Sequence, residues 1–460
     1  MNKTEKKKKK HKILRIIIVF LIILVLLVLG ILFFYRHLYG TFSIPSWMRP
    51  EHEPLKKVEK YHSNLNFEDV SESTLPRMNI VMSTDYLLSS DEYTECTVEI
   101  KNADEYNLDA CNANIRIRGN TTSQADKKPY KLKLDEKKSL FGGGKEKSWV
   151  LLANVNDITG IHNYVSMEIY RYLTDGKAFI PMIRFVNLYI NGEYQGVYNL
   201  CDQIETGKTR VPISGKIKAT PEETDYLVLN DKYAYYEGKA GEEGIGWFWL
   251  DKSITAIEVK SPDTDDELYT KEYTDYIKNR MDSIYDIILS RDWNDIQQVI
   301  DIDAIVNGFL VSIITNNEDI AYKSIYYYLP SGGKLTYGPV WDMDLTFGAG
   351  SSFGYKDILG EKSNLNIIWR ELMKVDEFKQ YFLERFKEVY PQLEELINNK
   401  IDESVSIAGK ELENEFKIRA AWGRYGTSTY KSANTYDEAI EFMKNWTHER
   451  LEYLYSGYFN

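Results

Sequence analysis

One stretch of this 460-residue chain constrains its fold more than any other. Residues 324–329 and 334–340 have the composition of two β-strands of near-equal length, and the PSGG sequence between them is typical of a tight turn. A hairpin with matched arms returns the chain to the point where it began. The sequence therefore predicts that side chains just before the first arm and just after the second lie close together.

Carboxylates occupy both of those positions. Asp319 precedes the first arm, and Asp342 and Asp344 follow the second. Because carboxylate oxygens are preferred ligands of divalent cations, we predict Asp342 as a ligand of Mg²⁺ or Mn²⁺. Asn317 is a candidate second ligand, Asp344 is a reserve ligand, and Asp319 is a candidate base. Protein kinases place two aspartates around a short hairpin in the same way, whereas plain turn or capping residues are the alternative interpretation.

A second group of candidate residues is basic. Arg118 ends one predicted strand, and Lys128 lies just before the next. Lys131 and Lys133 are expected on one face of that next strand, because side chains alternate along a strand. Lys260 ends a further predicted strand. Such cations could offset the charge of a nucleotide triphosphate such as ATP, and a solvated basic face is the alternative interpretation.

The N-terminus differs from the rest of the chain in composition. Residues 1–12 form a basic tail with five consecutive lysines, and residues 16–35 are apolar and uncharged. Twenty such residues can span a hydrocarbon core of about 30 Å. We predict a transmembrane signal anchor over residues 13–35, a cytoplasmic tail, and a stalk over residues 36–75. A cleaved signal peptide is the alternative, but bulky residues follow the apolar run where small ones would be expected.

The net charge of the chain narrows the classes of binding partner. The net charge is −12, and residues 1–40 contribute +8 (nine Lys or Arg against one Glu), so the remainder carries −20. An acidic surface argues against a nucleic acid partner, because phosphate binding needs a basic surface.

Of the three cysteines, Cys96 and Cys111 flank a short insert between two predicted strands. The sequence leaves two alternatives open, a disulfide between these two residues or buried free thiols.

The pattern of apolar residues predicts one α+β domain over residues 76–460. Strand patterns dominate as far as residue 260, and an Asn-Gly pair at residues 191–192 marks a tight hairpin. Beyond Pro262, apolar residues recur at three- and four-residue spacing, which predicts helices. A domain of this size is expected to form two lobes that meet at a cleft, with a β-rich N-terminal half and a helix-rich C-terminal half.

Five ordered motifs resemble the CotH family of spore-coat-associated proteins, which have an atypical protein-kinase-like fold. In chain order they are RIRGNTTSQADKKPYKLKLD, KSWVLLANVNDITGIHNYVSMEIYR, RFVNLYINGEYQGVYNLCDQI, VKSP and ITNNEDIAYKSIYYYLPSGGKLTYGPVWDMDLTFG. The likeness runs from about residue 78 to about residue 454. It implies phosphorylation of Ser residues in spore coat proteins with ATP and Mg²⁺. By matching position, Asp319 and Asp342 fall on the family's active-site aspartates, and Lys128 falls on the lysine of its KKxY motif.

Three motifs depart from the family's pattern. Residues 312–314 (SII) stand where the family has N-E-L, residues 161–163 (IHN) where it has L-R-N, and residues 201–203 (CDQ) where it has T-E-Q. The resemblance and the predicted anchor together give the hypothesis of a membrane-anchored kinase acting on Ser or Thr of a coat or envelope protein. The catalytic domain would be extracytoplasmic or on a membrane of the developing spore. A catalytically weak or inactive structural surface protein, and a metal-dependent hydrolase of surface polymers, are the alternatives.

Overall fold

The computed structural model describes residues 57–62, 72–83, 88–231, 244–253, 256–321, 323–349, 355, 366–421 and 433–459, with scattered positions within 18–27 and 65–68. In this described part of the chain, no helix has both the length and the apolar character needed to cross a membrane. The predicted anchor over residues 13–35 lies mostly outside the described residues, so it stays a prediction.

A closed seven-stranded β-barrel is formed by the first half of the described chain. Its strands are β1 (Arg77–Val81), β2 (Thr94–Lys101), β3 (Leu108–Ile117), β4 (Tyr130–Ser139), β5 (Lys145–Leu152), β6 (Ile183–Ile190) and β7 (Glu193–Asp202). Their order around the barrel is β1-β2-β3-β4-β5-β7-β6, and parallel pairing of β6 with β1 closes it. Along β4, the side chains of Tyr130, Leu132 and Leu134 alternate into the buried interior, as expected for a barrel strand.

A second, five-stranded antiparallel sheet follows in sequence. It contains β8 (Tyr226–Asn230), β9 (Trp247–Trp249), β10 (Ala256–Ser261), β11 (Ile325–Leu329) and β12 (Thr336–Tyr337), in the order β12-β11-β8-β10-β9. Every residue of the central strand β8 is buried. Because β8 lies between strands on both sides and is covered on both faces, this sheet belongs to the core that the helices complete.

The helices are concentrated in the second half of the chain. They are α1 (His162–Leu173), α2 (Lys271–Ser290), α3 (Trp293–Val299), α4 (Ile302–Ile314), α5 (Ile367–Leu372), α6 (Asp376–Ala421) and α7 (Tyr436–Phe459). Asp292, Asp301 and Asn366 begin α3, α4 and α5 by accepting hydrogen bonds from backbone N–H groups of the first turn. The predicted α+β arrangement, β-rich first and helical second, is confirmed, although the closure of the first sheet into a barrel was not predicted.

The predicted hairpin is only partly correct. Strands β11 and β12 pair as expected, with Tyr327 opposite Tyr337. The second arm, predicted over residues 334–340, is a strand of two residues only. Pro339 has no N–H group to donate to a strand ladder, so regular pairing ends just before it.

All three cysteines are free thiols, so the disulfide alternative is wrong; Cys96 and Cys201 are buried as the other alternative expected, whereas Cys111 is half-buried. Cys96 faces Ala113, and Val98 faces Cys111, so the two cysteines lie on neighbouring strands but not opposite each other. Burial raises the pKa of Cys96 to about 12, so this thiol stays protonated and unreactive at neutral pH.

A buried ion cluster joins the barrel to helix α6. The Nζ atom of Lys127 lies 3.0 Å from Oε2 of Glu415, and Nη2 of Arg419 lies 2.8 Å from the same oxygen. All three side chains are almost completely buried. The backbone N–H of Val197, on β7, also donates to Glu415, and Arg419 donates to the carbonyl oxygen of Asn154 (2.8 Å). Glu415 on α6 therefore holds the segment before β4 and strand β7 and, through Arg419, the loop after β5.

We predict that Glu415→Ala lowers the free energy of unfolding by about 3–5 kcal/mol, because it leaves Lys127 and Arg419 buried without their carboxylate. Denaturant unfolding measures this change. The matched control is Asp402→Ala, which removes an exposed ion pair with Lys444 and should cost less than about 1 kcal/mol. Equal losses for the two variants would contradict the central role of Glu415.

Candidate active site

A cavity of about 730 Å³ lies between the barrel and the second sheet. Its lining includes residues of β3 and β4 on the barrel side and residues of β8, β10 and β11 on the other. Six of the residues predicted from the sequence line it: Asp319, Asp342, Asp344, Arg118, Lys131 and Lys260. The cavity therefore brings the acidic and the basic candidates together.

The carboxylates meet at the base of the β11–β12 hairpin. Asp319 is buried, and its Oδ2 atom lies 3.0 Å from Nζ of Lys323. The hydroxyl of Ser324 donates to Oδ2 of Asp342 (2.9 Å). Asp342 has a φ of +59°, a left-handed conformation that is uncommon outside glycine. Such strained residues cluster at functional sites, where the surrounding structure holds them in place.

Burial and mutual repulsion set the protonation of these groups. Burial raises the pKa of Asp319 to about 7, and Asp342 adds to the rise, while Lys323 opposes it. Burial, followed by Asp342 and Asp319, also raises the pKa of Asp344 well above its ordinary value. Burial alone would lower the pKa of Lys323, but the neighbouring carboxylates outweigh it and raise that pKa instead. The site thus holds more negative charge than one lysine can offset.

The loop between β5 and α1, together with the first turn of α1, positions the segment that carries Asp342 and Asp344. The side chain of Asn156 donates to Oδ2 of Asp344 (2.9 Å), and Oδ1 of Asn163 accepts from the backbone N–H of Met343 (2.9 Å). The His162 ring lies 3.3 Å from the carbonyl oxygen of Asp344. The barrel half of the chain therefore fixes the orientation of carboxylates that belong to the helical half.

The donor atoms present fit a hard divalent cation. In the part of the chain that the structure describes, no three His, Cys, Asp or Glu side chains are placed to hold a metal ion by themselves. Mg²⁺ usually takes only one or two carboxylates, with phosphate and water oxygens completing its shell. Asp342 and Asp344 would supply those carboxylates. Oδ1 of Asn156 is buried in the same cavity and has no hydrogen-bond partner among the described residues, so it is a further free acceptor.

Asn317, predicted as a second metal ligand, has a different position. Its Oδ1 atom accepts the backbone N–H of Asp319 (2.9 Å), and its Nδ2 atom donates to Sδ of Met343 (3.0 Å). It does not line the cavity. Asn317 is therefore placed to hold the two aspartate-bearing segments together rather than to face a ligand.

Cations form the barrel side of the cavity. Burial lowers the pKa of Lys131 to about 8, and the nearby cations Arg116, Lys260 and Arg118 lower it further, while Glu205 opposes them. The Arg118 guanidinium lies 5.5 Å from the ring centroid of Trp341, the residue before Asp342. Crowded cations at the edge of a cavity favour an anionic ligand.

The other predicted cations have different surroundings. Lys133 is exposed and does not line the cavity, because it lies two residues further along β4 than Lys131. Lys128 also lies outside the cavity lining, with Nζ 4.5 Å from the ring centroid of Tyr61. Lys260 lines the cavity, and its Nζ atom donates to Oε1 of Glu258 (2.6 Å).

Several lining residues were not predicted from the sequence: Asp231, Glu258, Lys323, Asn156 and Gln203. The position of Asp231 depends on strand register, since β8 pairs with β11 so that Asn230 faces Ile325. Asp231 then follows the strand end and reaches the backbone N–H of Ser324 (3.4 Å). A cluster of Asn, Asp and Thr directly after β5 was the sequence signal that could have revealed Asn156.

An α+β fold with buried carboxylates facing cations across one cavity is the kind of site that protein kinases use for phosphate groups and metal ions. A comparison with protein-family models agrees with this class. The model described as CotH kinase protein matches residues 115–454, and the chain therefore belongs to the CotH kinase family. No curated protein matches the chain.

We predict that Asp344→Asn makes the metal-free protein more stable than wild type at pH 8. Because the pKa of Asp344 is raised in the fold above the ordinary 3.8, its ionised form opposes folding at high pH. This penalty disappears as the pH falls toward about 4. The free energies of unfolding of the wild type and the variant should therefore become equal there. Denaturant unfolding from pH 8 to about pH 4 tests this, and a variant less stable than wild type at pH 8 would contradict it.

Proposed function

We propose that this protein is a membrane-anchored protein kinase that transfers the γ-phosphate of ATP to Ser or Thr of a spore coat or cell-envelope protein. Membership of the CotH kinase family supports the kinase class. The observation that carries the proposal is the meeting of Asp319 and Asp342 with Arg118 and Lys131 in one cavity. The barrel and the helical half would then act as the two lobes of an atypical kinase fold.

Asp319 is the proposed general base. Its buried carboxylate has a pKa of about 7, close to the value at which a base both accepts and releases a proton readily. It would orient the substrate hydroxyl and take its proton as the phosphoryl group is transferred. Lys323, which contacts Asp319, would hold that carboxylate in place and offset its charge.

Asp342 and Asp344 would hold Mg²⁺ or Mn²⁺, which when bound would offset the charge of the phosphate oxygens. Arg118 and Lys131 would bind phosphate oxygens from the barrel side. Transfer of a phosphoryl group depends mainly on such positioning and charge stabilisation, and it needs no protein nucleophile. The proposed anchor over residues 13–35 would tether this site to a membrane, and a developing-spore membrane would give it access to ATP.

We expect Asp319→Ala and Asp342→Ala each to lower phosphate transfer by at least about 100-fold, because they remove the base and a metal ligand. The assay follows label from γ-labelled ATP, with Mg²⁺ or Mn²⁺, into the full chain itself and into Ser-rich peptides. Asp286→Ala, an exposed aspartate on α2, is the matched control and should keep wild-type activity.

Three results of this assay separate the candidate functions. Label on protein that both active-site variants abolish supports the kinase. Release of label to water instead of protein would support a hydrolase. No turnover by a folded wild-type chain over a range of metal ions would support the structural alternative, and it would overturn the proposal.

Lys131→Met is expected to raise the KM for ATP by about tenfold, because it removes one cation from the barrel side of the cavity. Lys133→Met is a closely matched control, since Lys133 is on the same face of β4 but outside the cavity lining. Steady-state kinetics at varied ATP concentration measures both. Equal changes in the KM for ATP in the two variants would show that ATP does not contact the barrel side of the cavity.

A further inference from the structure

A second cavity, of about 470 Å³, shares no lining residue with the candidate active site. It lies among the end of α1, the β11–β12 hairpin, the start of α4 and helix α6. Five aromatic side chains contribute to its lining: Tyr170, Phe179, Tyr328, Tyr337 and Tyr381. Its volume is within the range of small-molecule pockets, so we asked which ligand its polar groups would accept.

Tyr170, one of the lining residues, carries an unsatisfied polar atom. Its side chain is completely buried, and its hydroxyl has no hydrogen-bond partner among the described residues. A Cβ atom at Gly338, another lining residue, would lie 3.4 Å from that hydroxyl, so the hydroxyl lies next to the backbone that lines the cavity. Buried hydroxyl groups without a partner are rare because they cost free energy, and a ligand would supply the missing hydrogen bond.

Most charges of the cavity cancel in pairs. Lys177 lies 3.3 Å from Asp175, and Arg385 lies 2.7 Å from Glu388. Arg385 also donates to the carbonyl oxygen of Leu173 (2.7 Å), so its guanidinium is already engaged. These two cations are thus poor candidates for holding an anionic ligand.

Two carboxylates of the cavity remain: Asp303, which accepts a hydrogen bond from the hydroxyl of Tyr381, and Asp301. The Oδ1 atom of Asp301 accepts the N–H of Ala304 at the start of α4 (3.1 Å), and no cation of the described chain forms an ion pair with it. Tyr328 lines the same cavity; burial raises the pKa of Tyr328, and the charge of Asp301 adds to the rise. Aromatic faces beside an unpaired carboxylate are the combination that proteins use to bind organic cations.

We infer that this cavity binds a primary ammonium group carried on a short alkyl chain. Asp301 would offset the positive charge, and the hydroxyl oxygen of Tyr170 would accept one ammonium N–H. The rings of Tyr328 and Tyr337 would pack along the alkyl chain. A lysine side chain of a polypeptide and a free alkyl diamine share this chemistry, and this inference is independent of the proposed function.

Calorimetric titration of the full chain with cadaverine tests the inference, with 1-pentanol as a neutral probe of equal chain length. We expect saturable binding of cadaverine and none of 1-pentanol. Asp301→Asn should weaken binding by about tenfold or more, because asparagine keeps the helix cap but removes the charge. Asp292→Asn, the same change at the cap of α3 outside the cavity, should leave binding unchanged.

Tyr170→Phe separates a ligand role from a structural one. The variant removes a hydroxyl that has no partner in the described chain, so it should unfold at the wild-type temperature or above it while binding cadaverine more weakly. A second titration uses lysine with its α-amino and α-carboxyl groups blocked. Binding as tight as that of cadaverine points to a polypeptide ligand, and weaker binding points to a free amine. No saturable binding of either amine, or equal binding by wild type and Asp301→Asn, would overturn the inference.

Discussion

The fold depends on one buried carboxylate that belongs to helix α6 but satisfies groups of the barrel. Glu415 contacts Lys127, Arg419 and the backbone of Val197, so its removal would leave several polar groups buried without partners. Arg419 extends the contact to the carbonyl oxygens of Asn154 and Asp157 in the loop after β5. Even a glycine is required nearby, since a Cβ at position 196 would lie 2.2 Å from Glu415.

The same loop links this cluster to the candidate active site. Asp157 accepts hydrogen bonds from Thr159 and from the backbone N–H of His162, and these contacts fix the turn that leads into α1. Asn156 and His162 then contact Asp344. Through this chain of hydrogen bonds, the packing of α6 against the barrel sets the orientation of side chains on a distant part of the sequence. Carboxylates held so closely repel one another, and the folding energy of this network keeps them together.

Local patterns in the sequence predicted the parts of the fold that depend on local chemistry. The alternation along β4, the Asn-Gly turn before β7 and the helical spacing of α3 all appear in the structure. Strand register and barrel closure depend on distant pairs such as β1 with β6, which a single sequence does not reveal. For the same reason Asp319 and Asp342 were found from one hairpin, whereas Asp231 and Asn156 come from other elements.

Residues in the motifs that depart from the family pattern form hydrogen bonds or ion pairs with their own neighbours. Ser312, which stands in the N-E-L motif, donates to the carbonyl oxygen of Gly308 within α4. Asp202, in the T-E-Q motif, lies 3.0 Å from Arg210 and accepts the N–H of Met182. His162, where the family has arginine, is buried; burial lowers its pKa, and a neutral ring there avoids a buried charge. With these residues in place, the loop after β5 contacts Asp344 through Asn156, and the acidic and basic candidates line one cavity.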